Sequence, residues 1–146
     1  MLGWQTVLRV CERPPAVVAP NPSLPVVEVD RDLLRRPDIG GVLLDGRDDG
    51  RALEHYLEGL AATEKLVQHG PANLYFQRYR ADAFESLGRY YSTLATRPAA
   101  QRPVELKAQA RSWFQKSQAV WQEWTHRKAA LPYAERRQSQ IAELLK

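Results

Sequence analysis

From Asp48 to the end of the chain, large apolar side chains recur at spacings of three and four in four successive blocks, the period of amphipathic helices. The first block runs to His69, with Leu53, Tyr56, Leu57, Leu60 and Val67 on one side. Asp48 or Asp49 suits its N-cap, Gly70 its C′ position, and Pro71 stops it. The second block has Asn73 as its cap and reaches about Ala95, with Phe76, Ala83, Phe84, Leu87, Tyr91 and Leu94 in its stripe. Pro103 suits the first position of a third helix over about 103–128, which carries Leu106, Ala110, Trp113, Phe114, Ser117, Val120, Trp121 and Trp124. Pro132 opens the fourth, whose inward positions are Ala134, Ile141, Leu144 and Leu145. Long helices with short connections predict an all-α fold of antiparallel helical hairpins, either a short superhelix of stacked pairs or a four-helix bundle.

Residues 1–47 read differently. Six of the ten prolines fall between Pro14 and Pro37, and PPAVVAPNPSLP suits an extended or polyproline conformation. Twelve of the thirteen aromatic residues lie between Tyr56 and Tyr133, so the mass that builds a core follows the prolines. The chain thus divides into a Pro-rich N-terminal extension, 1–47, and a helical-hairpin repeat domain, 48–146. Within the extension, Trp4, Val7, Leu8 and Cys11 have helical spacing, while WQTVLRV equally suits a strand. VVEV at 26–29 suits a short strand, and GGVLLDGRDDG at 40–50 reads as a turn-rich approach to the first helix.

A shift of 58 residues superimposes the two helical pairs. Ala52 then falls on Ala110, Tyr56 on Phe114, Ala61 on Ala119, Leu66 on Trp124, Arg78 on Arg136, Glu85 on Glu143, and Leu87 on Leu145. One offset fits both helices of each pair, the pattern of a duplicated hairpin. Gly88 sits mid-helix, where glycine costs about 1 kcal/mol relative to alanine. Close approach of a neighbouring helix is the physical reason to keep it.

FESLGRYY, with Phe84, Leu87, Gly88 and Tyr91, resembles the first-helix pattern of the tetratricopeptide repeat. ARSWF (Ala110, Phe114) and ALEHY (Ala52, Tyr56) resemble the Ala-x-x-x-aromatic start of that repeat's second helix. The stretch from Ala52 to Leu145 is similar to the long tetratricopeptide-type repeats at the C-terminal end of some bacterial serine/threonine protein kinases, with PAN at 71–73 and AVWQEW at 119–124 as matching pieces. Residues 96–109 insert extra length between the matched helices, Ser117 stands where a second alanine is usual, and no kinase motif is present. The resemblance implies a bacterial signalling scaffold or adaptor whose concave surface holds a peptide or partner protein. Counted from Phe84, the inner positions of a groove-lining helix fall on Asp82, Glu85, Arg89, Ser92 and Thr93, with Arg78 and Arg80 one turn nearer its N-terminus. The partner-binding set it implies is Arg78, Asp82, Glu85, Arg89 and Ser92, with Arg89 suited to a bidentate carboxylate contact.

No recognisable reaction centre emerges from the residues. DGRDDG at 45–50 lacks the alternation of a calcium loop, since Arg47 stands at a ligand position and Tyr56 at the last, so its aspartates read as turn and capping residues. Glu123 and His126 have the spacing of a di-iron ligand pair, but Ala52 and Leu66 precede His55 and His69 at that distance, so no second pair completes it. There is one cysteine, Cys11, and no phosphate-cradling glycine loop. The expectation is therefore no enzyme, no cofactor and no metal. Trp113, Trp121 and Trp124 share one helical face and read as core.

Charge is divided. Residues 1–70 carry 8 Lys/Arg and 11 Asp/Glu, a net −3, whereas 71–146 carry 13 and 6, a net +7. A basic half suits an acidic partner or nucleic acid; nucleic-acid binding through the basic C-terminal half is the alternative to the protein-interaction reading and ranks below it. Two repeats are few for an isolated solenoid, so the 1–47 segment is expected to cap an open end or the chain to form a homodimer. No apolar run approaches the length of a membrane span, and the N-terminus carries no secretion signal, which points to the cytoplasm.

Overall fold

In the computed structural model, which describes residues 36–127 and 132–146, the last four helices start where the sequence places their caps and prolines. In chain order the elements are α1 (Arg36–Asp45), α2 (Asp49–His69), α3 (Leu74–Thr96), α4 (Pro103–His126) and α5 (Pro132–Leu144), and no strand occurs among the described residues. Asp48 caps α2 by accepting from the Arg51 N–H, and Asn73 caps α3 by accepting from the Tyr75 N–H at 2.9 Å. The readings at Trp4–Cys11 and 26–29 and the proline-rich stretch to residue 35 lie outside the described residues.

The segment read as a turn-rich approach is helical over residues 40–45, as the second half of α1. Pro37 is tolerated because it stands in the first turn, where a backbone N–H has no intrahelical partner. Two glycines also mask the helix, and at least one is required by packing. A Cβ on Gly40 would lie 2.9 Å from the Tyr56 ring, so α1 approaches α2 as only glycine allows. The turn proper is three residues long. Arg47 takes the left-handed conformation at φ 63°, and the Asp48 N–H reaches back to the Leu43 carbonyl at 2.9 Å, closing α1 directly before α2 begins.

Gly70 ends α2 without the left-handed conformation expected of a C′ glycine, at φ −147°. What it supplies is space: a Cβ there would stand 3.0 Å from the Phe76 ring.

The helices pack in chain order, α1 on α2, α2 on α3, α3 on α4 and α4 on α5, and α1 also reaches α3. No extensive contact joins α2 to α5, so the last four helices do not close into a bundle. α3 is shared by two cores. On one side Leu87 and Tyr90 meet Leu44, Ala52 and Tyr56. On the other, Ala81 and Phe84 meet Ala110, Phe114, Val120, Trp121, Trp124, Ala134 and Ile141. Trp121 is fully buried and edge-on to both Trp124 and Tyr133, in keeping with the core reading of these two tryptophans, whereas Trp113 is only partly buried against the same core. Leu57 and Leu144, placed inward by their spacing, are exposed.

The close approach at Gly88 is present. Its missing Cβ would lie 2.6 Å from the Phe114 ring. The same contact therefore occurs twice, Gly40 on Tyr56 between α1 and α2, and Gly88 on Phe114 between α3 and α4. Around each ring, one register of α2 and α4 repeats: Ala52 and Ala110 one turn before, Gly59 and Ser117 one turn after, all buried. Ser117 fits because it is small and because its hydroxyl donates to the Ala81 carbonyl at 2.9 Å. The duplication weakens in the next helices, since Glu85 is buried whereas Glu143 is exposed. No further helix among the described residues packs on α5 as α4 packs on α3.

Candidate functional site

Along α3, Arg78, Asp82, Glu85 and Arg89 follow one another at spacings of four, three and four, and Tyr75 and Tyr79, four apart, flank Arg78 on the same side of the helix. Four of the five residues in the implied binding set meet there. Arg89 donates from Nε to Glu85 Oε1 at 2.9 Å, and its Nη2 lies 2.8 Å from the same oxygen as an ion pair. Arg78 pairs more loosely with Asp82, Nε to Oδ2 at 3.6 Å, while its guanidinium covers the Tyr133 ring at 4.8 Å. Ser92 is half-buried one turn beyond Arg89 and stands outside the ion cluster, with Thr93 exposed beside it.

The residue that organises the cluster comes from another helix. Arg137 of α5 donates from Nη2 to Asp82 Oδ1 at 2.9 Å and to Glu85 Oε2 at 2.5 Å, and its Nη1 donates to Gln140 Oε1. The Glu85 side chain is only 6% exposed, so both its oxygens are committed inside the protein, one to Arg137 and one to Arg89. It cannot meet a partner directly. Burial raises the Asp82 carboxyl above its ordinary value, with Arg137 opposing the shift. Burial alone would lower Arg137, yet the Glu85 and Asp82 carboxylates outweigh it and hold the guanidinium above its usual value. Glu85 has the shorter contact, which leaves Asp82 with the weaker share of Arg137 and a desolvation cost the pair does not fully offset.

Arg80, placed with Arg78 by the sequence, points elsewhere. Its Nε donates to Glu64 Oε1 of α2 at 3.0 Å, and its guanidinium lies over Phe84 at 5.4 Å. That side of α3 forms the floor of a second feature, because α2 and α4 flank α3 without an extensive contact of their own. One cleft of about 530 Å³ there is lined by Leu60, Glu64, Phe84, Trp113, Lys116 and Val120, with Lys116 Nζ 3.9 Å above the Trp113 ring. Another, of about 560 Å³, lies toward the opposite ends of the same three helices, between Asp49, Leu94, Arg97 and Leu106. Arg97 closes its rim with two bonds to the Asp49 carboxylate, at 2.6 and 2.7 Å, and a third to the Leu44 carbonyl.

Of the aspartates of 45–50, one does the capping expected of it and another joins distant parts of the chain. Asp48 caps α2, and Asp49 holds Arg97. Glu123 is paired with Arg127 at 2.5 Å. Among the described residues no three His, Cys, Asp or Glu side chains come together as metal ligands would, and no helix is long and apolar enough to cross a membrane.

Sequence reasoning missed Arg137, Tyr75 and Tyr79. The tyrosines are exposed, and their register with Arg78 and Asp82 was available from spacing alone. Arg137 carried no local signal, because its partners lie 52 and 55 residues away. No family model matches the chain, and neither curated proteins nor solved structures include a match to it.

Proposed function

We propose that the chain is a non-catalytic protein–protein interaction module, a scaffold or adaptor of tetratricopeptide-like helical hairpins that holds a peptide or partner protein on the open strip of α3. The duplicated glycine-on-ring contact, Gly40 with Tyr56 and Gly88 with Phe114, is the observation that carries this reading. Units that bury their faces against successive neighbours leave extended surfaces along the stack, and such surfaces serve recognition. The strip adds fixed chemistry, because Arg137 holds Asp82 and Glu85 in place while Arg78 and Arg89 keep exposed guanidinium groups. A cytoplasmic setting belongs to this reading and accords with the chain's single cysteine, Cys11.

The test is a quantitative pull-down from host lysate with wild type and Arg89→Glu side by side, after circular dichroism shows both folded. Partners lost from the variant are the expected result. A folded variant that retains every partner rejects the strip.

A further inference from the structure

We infer that the partner on this strip is an acidic segment in which glutamate or aspartate side chains alternate with apolar ones. The inference rests on the interaction reading above and names its partner class. Three guanidinium groups, Arg78, Arg89 and Arg137, surround two carboxylates, Asp82 and Glu85, which leaves the cluster with a charge of +1. Arg137 is the key to what a partner meets. It reaches the carboxylates from α5, with its own side chain only 20% exposed, and engages both with one nitrogen. Arg137 offsets one of the strip's two negative charges and Glu85 is enclosed, so the most exposed groups of the cluster are Arg78 and Arg89, with Asp82 less exposed between them.

Neither outward arginine is saturated by its partner. Arg78 stands 3.6 Å from Asp82, beyond a hydrogen bond, and Arg89 sets two of its nitrogens against a single oxygen of Glu85. A guanidinium has five donors in a fixed fork. A carboxylate arriving from outside finds donors on both, and one such charge brings the cluster to neutrality. The bonds it forms are charge-assisted and stronger than neutral ones. Tyr75 and Tyr79, exposed beside Arg78, offer ring faces to the apolar residues between the carboxylates and hydroxyl groups to its backbone. The surrounding half of the chain carries +7, a field that attracts such a segment before contact.

The same field attracts nucleic acid, but the local arrangement opposes it. A duplex presents one negative charge per about 1.7 Å of axis, and a run of phosphates along the strip meets Asp82, which is about a third exposed. An extended peptide with acidic residues at alternate positions spaces its carboxylates about 7 Å apart, so fewer negative charges crowd Asp82 than a duplex brings.

The experiment uses the full chain and two short capped peptides of equal length, one alternating Glu with Leu and the other Gln with Leu. Binding is read by fluorescence anisotropy in low and in moderate salt. The Glu peptide is expected to bind about tenfold more tightly than its Gln twin, and each of Arg78→Gln and Arg89→Gln to weaken it by about three- to tenfold, as loss of a charge-assisted bond implies. Lys107→Gln, which removes one exposed charge from α4, is expected to leave binding within about twofold, since screening confines surface charge effects to about 10 Å. Equal binding of the two peptides overturns the inference. So does a Lys107→Gln loss as large as that of Arg89→Gln, which reduces the effect to net charge. A single-stranded oligonucleotide that binds more tightly than the Glu peptide, and loses affinity in Arg89→Gln, assigns the strip to nucleic acid instead. Pull-down partners lost from Arg89→Glu, with no binding of the Glu peptide, overturn the acidic class alone. Partners and Glu peptide both indifferent to Arg89 remove the interaction reading with it.

Discussion

Replacing Gly88 by alanine sets two effects of similar size against each other. In an exposed helix the change stabilises by about 1 kcal/mol, because alanine loses less backbone entropy on folding. At Gly88 the new Cβ would lie 2.6 Å from both Cδ1 and Cε1 of Phe114. That is about 1 Å inside the distance at which carbon atoms attract. Phe114 is buried in the seam between α3 and α4, so its ring cannot swing away without opening a gap elsewhere. Overpacking of a core costs about 1–3 kcal/mol, which leaves a net destabilisation of up to about 2 kcal/mol. For a chain of this length each kcal/mol lowers Tm by about 3–5 °C. Gly50→Ala is the control, since nothing lies within 4 Å of a Cβ there, and it is expected to be neutral or stabilising. The Phe114→Leu background supplies the second test. A side chain without a ring relieves the clash, so Gly88→Ala costs about 1 kcal/mol less there than in wild type, a coupling measurable in a double-mutant cycle. Thermal and urea denaturation followed by circular dichroism read all five proteins. If Gly88→Ala raises Tm as Gly50→Ala does, or if the cycle shows no coupling, the close-approach argument is wrong.

Three further outcomes are expected. A fragment of residues 48–146 loses α1 and uncovers Tyr56 and Tyr90, so its urea midpoint falls below that of residues 36–146; equal midpoints would show that α1 contributes nothing to the core. Arg137→Met leaves buried Glu85 with Arg89 alone and costs about 2–3 kcal/mol, part of it recovered in Arg137→Met/Glu85→Leu, which removes the enclosed carboxylate and leaves only the more exposed Asp82 without its hydrogen-bonded partner. Because burial raises Asp82 above its ordinary value of 3.8 in the native state, the fold holds that proton more tightly than the unfolded chain does. Its contribution is fully present below the ordinary value and is lost as pH rises through the raised one. Asp82→Asn therefore flattens the plot of urea midpoint against pH between that value and neutrality, and parallel plots for the two proteins would contradict it.

Much of the fold is local information. Asp48, Asn73 and Pro103 start their helices because each solves a capping problem within its own first turn, and apolar spacing marks inward faces without reference to partners. Gly88 belongs here too, since a mid-helix glycine asks for a neighbouring helix even before the neighbour is known to be Phe114. Residues 40–45 escaped because Gly40, Gly41 and the nearby Pro37 lower helix propensity, and only burial against Tyr56 offsets that loss.

The candidate site divides the same way. The resemblance, counted from Phe84, named Arg78, Asp82, Glu85 and Arg89, and a period of 3.6 residues sets these four on one strip of α3. Spacing could not reveal that Glu85 is enclosed, that Arg80 turns to Glu64, or that Arg137 neutralises the strip's acids from α5. Those facts depend on how α2 and α5 settle against α3, through contacts between residues 16 to 55 positions apart. Sequence periodicity specifies each helix and its inward face. Which charges stay exposed is decided only when the helices pack, because burial and pairing consume some of them and leave Arg78 and Arg89 outside.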